Sequence, residues 1–216
     1  MSATILPFVR PPHDALMAVR SLVPDTALTA ELLGTERSSH AVQVTADGLL
    51  LTVGYSVLEA AEVWLTNRKG QTTEAIVLAQ DYDSGIALLK PLTPIGLHHL
   101  ATAGIGELQP GNDLHIVAAN DKQIHKVGLH ALDEFAGRWE YLLDTALYTQ
   151  PLYERWSGAA LLNDDGALVG IGSLALGLRS PTGQMEPGNL FIPVELVMPH
   201  LEPAKPPKST ATGSIQ

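Results

Sequence analysis

The 216-residue chain contains no cysteine. Disulfides and thiolate metal sites are therefore excluded, and stability must come from packing and hydrogen bonding. Aromatic residues make up only 5% of the chain, against 45% apolar residues in all, so Val, Leu, Ile and Ala must fill the core. Cations are also few: 13 Lys and Arg stand against 23 Asp and Glu, a formal charge of −10. That balance argues against a nucleic-acid or anionic-membrane partner, because binding phosphates needs clustered Lys and Arg. No apolar run reaches the roughly 18 residues that a spanning helix requires, so no membrane span is expected. Met1 to Pro7 lack a basic segment followed by an apolar one. A cytoplasmic location is the expectation from that absence, and a periplasmic one if the native start is missing.

Turn-forming residues, by contrast, are plentiful. Residues 1–13 carry Pro7, Pro11 and Pro12 and read as an irregular arm. Residues 14–23 (DALMAVRSLV) place apolar side chains at helical spacing behind Asp14, which predicts a short amphipathic helix closed by Pro24. From Ala41 the period changes to two: Val42 and Val44 alternate with Gln43 and Thr45, Asp47-Gly48 turns the chain, and Leu49 to Thr52 follow as a buried strand. Further strands are expected at 61–66, 73–80, 85–90, 113–119, 124–132, 138–146, 158–163, 167–174 and 189–194. Glu195 to Leu201 reads as a short terminal helix, and 203–216 as a polar, Pro-rich disordered tail. Many short strands bounded by Gly and Pro argue for a β-sandwich or a β-barrel, and composition alone does not choose between them.

Three segments in this order resemble the HtrA/Deg branch of the trypsin-like serine proteases. Thr52-Val53-Gly54-Tyr55-Ser56-Val57 matches a T-x-x-H-V-V motif, with Tyr55 at the position of the general base. Gly85-Ile86-Ala87-Leu88-Leu89-Lys90 matches D-[IL]-A-L-[IL]-K, with Gly85 in place of the acid. Arg155-Trp156-Ser157-Gly158-Ala159 matches G-N-S-G-G, and Ser157 keeps only the nucleophile position. Gly188 to Val194 is similar to the family's late G-[IL]-[GS]-F-A-I-P-V strand. The resemblance implies an all-β chain of two six-stranded antiparallel barrels with short N- and C-terminal helices. The implied division is an arm and helix over 1–38, a first barrel over 39–95, a connection over 96–112, a second barrel and helix over 113–202, and the tail. A PDZ domain of the kind that many HtrA proteins append is not expected within these residues.

The chemistry implied at this site is depleted. A serine hydroxyl needs a base to take its proton and a third group to orient that base. A phenol, with a pKa of about 10, is protonated at neutral pH, so Tyr55 cannot replace an imidazole, and Gly85 has no side chain. Asp81 and Asp83 lie nearby in sequence, with no histidine in the motif to orient. Arg155 stands where the resemblance implies an oxyanion-hole glycine. The stretch from Asp144, placed near the specificity pocket, to Ser157 is longer than the resemblance implies. With Tyr148, Tyr153, Arg155, Trp156 and Gly158, the loop reads as a contact surface in the cleft. None of the eight histidines has good metal-pair spacing; the adjacent His98 and His99 offer a weak site at most.

Neither a cofactor nor a metal is expected. The leading expectation is a catalytically inactive protease homologue that binds a peptide or protein. The alternatives are an active serine endopeptidase with a rearranged catalytic site and a metal-binding or assembly scaffold of bacterial type. Homo-oligomerisation stays open, because HtrA proteins often trimerise through an N-terminal segment and residues 1–33 offer one.

Overall fold

A computed structural model of the chain describes residues 11–137, 141–180 and 183–201. The expected tail at 203–216, the first ten residues and the start of the strand expected at 138–146 lie outside those residues. Among the described residues, twelve strands form two closed barrels. The first holds β1 (Leu16–Leu22), β2 (Glu36–Gln43), β3 (Leu50–Val53), β4 (Glu62–Asn67), β5 (Thr72–Asp81) and β6 (Ile86–Pro91). The second holds β7 (Asp113–Val117), β8 (His125–Ala136), β9 (Leu142–Gln150), β10 (Ala160–Leu162), β11 (Leu168–Arg179) and β12 (Met185–Pro193). Both barrels follow one order. In the first it runs β1-β2-β3-β6-β5-β4, and in the second β7-β8-β9-β12-β11-β10, each closing on its first strand.

Small aliphatic residues fill the interior, as the shortage of aromatics requires. Met17, Val19, Ala41, Leu50, Leu65 and Leu89 pack inside the first barrel. Leu114, Ile116, Leu129, Leu147, Leu161 and Phe191 pack inside the second. A third cluster, with Val42, Leu51 and Val53 from one side and Leu143, Leu162 and Ile192 from the other, joins the barrels. Alternate residues of a strand face opposite sides. On β2, Ala41 therefore faces the barrel interior while Val42 faces the second barrel.

The expected helix over 14–23 is absent. A single 3-10 turn covers Pro12–Ala15, and Leu16–Leu22 is strand β1, paired with β2 on one side and β4 on the other. The reason is tertiary. Met17, Val19 and Ser21 are buried at every second position, and without this strand the barrel would keep two open edges. The first barrel therefore begins at Leu16, not at residue 39. The short helices at this end are the 3-10 turn and α1 (Ala30–Leu33). At the other end a 3-10 turn over Val194–Leu196 and α2 (Met198–Leu201) occupy the expected helical stretch. The connection runs from 92 to 112, and within it Thr102 bridges Leu168.

Candidate functional site

Ser157 lies in a tight turn closed by the Ala159 N–H donating to the Trp156 carbonyl, 2.8 Å. Gly158 is the third residue of that turn with φ +72°, a conformation that suits glycine. A Cβ there would also stand 1.9 Å from the His40 carbonyl oxygen. The turn is tied to the first barrel because the His40 N–H donates to the Ser157 carbonyl at 2.9 Å. Thr52 Oγ1 donates in turn to the His40 carbonyl at 2.7 Å.

Tyr55 sits in a one-turn 3-10 segment (Gly54–Ser56) directly after β3. Its single phenolic hydrogen serves Ser157 Oγ, 3.2 Å away, and the carbonyl oxygen of Ser173, 2.7 Å away. Burial pushes the Tyr55 pKa above the ordinary phenol value, and its contacts with Ser157 and Trp156 offset that only in part. The phenol is thus a neutral hydrogen-bonding neighbour of Ser157, not a proton acceptor. Among the described residues no other side chain hydrogen-bonds Ser157 Oγ.

Ser173 is the hub. The ladder between β11 and β12 shifts register between Gly172 and Leu174, leaving Ser173 on a bulge with its polar groups free to face the site. Its carbonyl also accepts from Trp156 Nε1 at 3.1 Å. Its hydroxyl is hydrogen-bonded to the hydroxyl of Tyr141. The Tyr141 ring packs over Gly85, the expected acid position: a Cβ on Gly85 would stand 2.4 Å from two of its ring carbons. Gly85 itself has φ +77°, so this position resists a side chain on two independent grounds.

The segment before Ser157 is anchored from below. Asn189, fully buried on β12, accepts from the Tyr153 N–H at 2.7 Å and donates to the Tyr153 carbonyl at 3.1 Å. Asp121 accepts from Tyr153 Oη at 3.1 Å and contacts His125 Nε2 at 2.9 Å, and its backbone N–H neighbours include Gln123. Desolvation works against this carboxylate, yet the hydrogen bonds from Gln123, His125 and Tyr153 outweigh it and hold its pKa at about 2. Arg155 Nη1 donates to the Asn120 carbonyl at 3.1 Å while its side chain stays more than half exposed.

A cleft of 640 Å³ opens beside Ser157, between the outer face of the first barrel and residues 154–157. His40 is the imidazole that lines it. Burial, and secondarily the Arg155 charge, push its pKa down to about 4, so it is neutral at pH 7. It makes no side-chain hydrogen bond to Ser157.

Among solved structures, the chain is similar to the MamO protease domain from Magnetospirillum magneticum in its apo form. That match has a TM-score of 0.66 at 20% identity over 91% of this chain and 100% of that one. It is also similar to the HtrA-type protease AlgW with a tripeptide, at a TM-score of 0.67 and 19% identity, over 85% of this chain and 57% of that chain. AlgW with a decapeptide gives a TM-score of 0.64 at 17% identity, over 85% and 62%. The chain has the double-barrel fold of HtrA-type protease domains. It spans little more than half the length of AlgW. No protein-family model and no curated protein sequence matches it.

Within this HtrA-type fold the structure brings Tyr55, Ser157, Gly158, Trp156 and Arg155 together, with Gly85 behind them against Tyr141. Three expected site residues, Tyr148, Tyr153 and Asp144, lie elsewhere. Tyr153 is only 8% exposed and belongs to the second-barrel core. Asp144 is exposed on β9 and lines a different depression with Asp81, Asp83 and Glu195, away from Ser157. The expected long loop is also shorter than its sequence suggests. β9 runs on to Gln150, so Tyr148 is a strand residue whose hydroxyl donates to the Glu134 carbonyl at 3.0 Å. Asp81 accepts the N–H of Asp83 within its own turn and bonds neither Tyr55 nor Ser157. Tyr141, Ser173 and His40 complete the site and carry no local signal, because their roles come from contacts between distant segments.

Proposed function

We propose that this chain is a catalytically inactive trypsin-like, HtrA-like protease homologue that binds an extended peptide or protein segment in its inter-barrel cleft. The observation that carries the reading is the pairing of Ser157 with the protonated phenol of Tyr55, while Tyr141 occupies the space of the acid. A triad acts as a unit, and losing one member alone costs about 10⁴-fold or more in kcat. Support for binding comes from two strands with open edges beside the site. β2 pairs with β1 along 36–42 but with β3 only at Val42 and Gln43. β11 pairs with β12 beyond the Ser173 bulge but with β10 only up to Ile171. Open edges let an extended peptide add as a further strand, with main-chain hydrogen bonds supplying affinity.

Incubation with casein and fluorogenic peptides should give no cleavage above the Ser157→Ala variant. Peptide display on the immobilised chain should enrich extended segments whose binding shifts the amide signals of Ser38 and Leu174. Ser157-dependent hydrolysis would falsify the inactive reading, and failure to enrich any peptide would remove the binding one. A second reading, an endopeptidase with a rearranged site, draws on His40, which lines the cleft as a neutral imidazole. It requires a fluorophosphonate to label Ser157 and His40→Gln to abolish that label.

A further inference from the structure

The cleft beside Ser157 has a built floor. In the register of the first barrel, Thr66, Ala18 and His40 form one row across β4, β1 and β2. Trp64, Arg20 and Ser38 form the next row on the same face. Ala18 is small and sits in the centre, which makes the floor concave. Arg20 and Ser38 stand on one side of it and Arg155 on the other. His40 is 6% exposed, lines the cleft and makes no side-chain hydrogen bond among the described residues; its Nδ1 is buried without a partner. No hydrogen bond among the described residues therefore commits this ring, whose exposed edge lines the cleft.

The charges choose the ligand class. Arg155 spends Nη1 on the Asn120 carbonyl, with the same nitrogen 3.8 Å from the Asp121 carboxylate, and more than half of its side chain stays exposed with its other donors uncommitted among the described residues. Arg20 uses Nε on Glu36 at 2.6 Å, and its outer nitrogens carry no other bond among the described residues. Glu154 is the one acid among the lining residues. Two guanidinium groups, serine hydroxyls and an uncommitted imidazole thus face one concavity in a protein whose overall charge is −10. Guanidinium forks match carboxylates in shape as well as charge.

We infer that this cleft is a carboxylate-binding subsite, with Arg155 as its anchor and Arg20, His40 and Ser38 completing it, so that the bound peptide presents either a free C-terminus or an Asp or Glu side chain there. This rests on the peptide-binding reading above and specifies which peptides it takes. The two carboxylate sources share the same chemistry and are separated by experiment.

The test is NMR titration of the labelled full chain with four short probes. These are trialanine with a free C-terminus, its C-terminal amide, and blocked Ala-Glu-Ala and Ala-Gln-Ala peptides. Carboxylate probes should shift the Arg155 and His40 side-chain signals with a Kd at least about tenfold below that of their neutral counterparts, a difference of about 1.4 kcal/mol. Loss on amidation identifies the C-terminus as the source, and loss on Glu→Gln exchange identifies the side chain. Arg155→Gln, which keeps a donor for the Asn120 carbonyl, should remove the preference without lowering Tm. Equal shifts from neutral and carboxylate probes would overturn the inference, as would carboxylate probes that leave Arg155 and His40 unmoved. Longer neutral peptides that still move the Ser38 and Leu174 amides would leave the peptide-binding reading standing.

Discussion

At the scale of single residues, the proposed absence of acyl-transfer chemistry rests on Tyr55 and Gly85. Tyr55, at the expected base position, holds its proton more tightly than a free phenol, because its anion would be buried. Gly85 is locked by its positive φ and by the Tyr141 ring. Installing the triad's residue types by Tyr55→His with Gly85→Asp should therefore fail to produce hydrolysis and should lower Tm, since the aspartate at 85 meets Tyr141. A fluorogenic peptide assay beside a thermal melt checks both outcomes, and cleavage by the double variant would contradict this steric account. Gly158→Ala is the second residue-scale expectation. Its methyl group would overlap the His40 carbonyl, and its φ disfavours any side chain, so a loss of about 2–4 kcal/mol is expected in urea denaturation.

At the scale of elements, the site depends on three devices: strand β1, the bulge at Ser173 and the clamp of Asn189 on the segment before Ser157. Strand β1 shows how a local pattern misleads. The apolar residues of 14–23 satisfy helical spacing, yet Met17, Val19 and Ser21 also alternate, and barrel closure favours the alternation. Met17→Ala should cost about 2–5 kcal/mol through the cavity it leaves inside the first barrel. A substitution at 17 on a surface helix would cost far less, so the measured value separates the two structures. Asn189→Ala should strip partners from two buried backbone groups of Tyr153, a loss of about 2–4 kcal/mol. Its second signature would be greater hydrogen exchange across 151–157 than in the rest of the second barrel.

At the scale of the whole molecule, buried histidines couple stability to pH. His40, His13 and His115 all have pKa values below that of a free imidazole, with burial as the largest cause in each. A lowered folded-state pKa means that the unfolded chain binds the proton more readily. Stability is therefore full above about pH 6.5 and falls as pH drops toward the folded pKa, which for His40 is about 4. His40 alone contributes a loss of about 3 kcal/mol across that window. Asp121 works at lower pH: its stabilising contribution is present above about pH 4 and disappears as pH falls through about 2. Urea midpoints measured between pH 7 and 4.5 should decline, and His40→Gln should flatten much of the slope. A midpoint that stays constant would contradict the buried, neutral state of His40.

The all-β class and nearly every strand of the barrels were legible along the chain, and the proposed loss of base and acid is read from the motifs at Tyr55 and Gly85. Period-two alternation, Asp-Gly and Asn-to-Gly turns and short motifs are local signals, readable along the chain. Which side chains surround Ser157, Tyr55 and Gly85 came from tertiary packing alone. Tyr141 lies 56 positions from Gly85 in sequence, and its ring covers Gly85 because packing brings the start of β9 against the β5–β6 turn. Ser173 becomes a hub through a register shift that no residue type announces. Tyr153 and Trp156 looked alike as aromatic contact residues. Packing buried the first in the core under Asn189 and left the second beside the cleft, because inward and outward positions are set by pairing with distant strands.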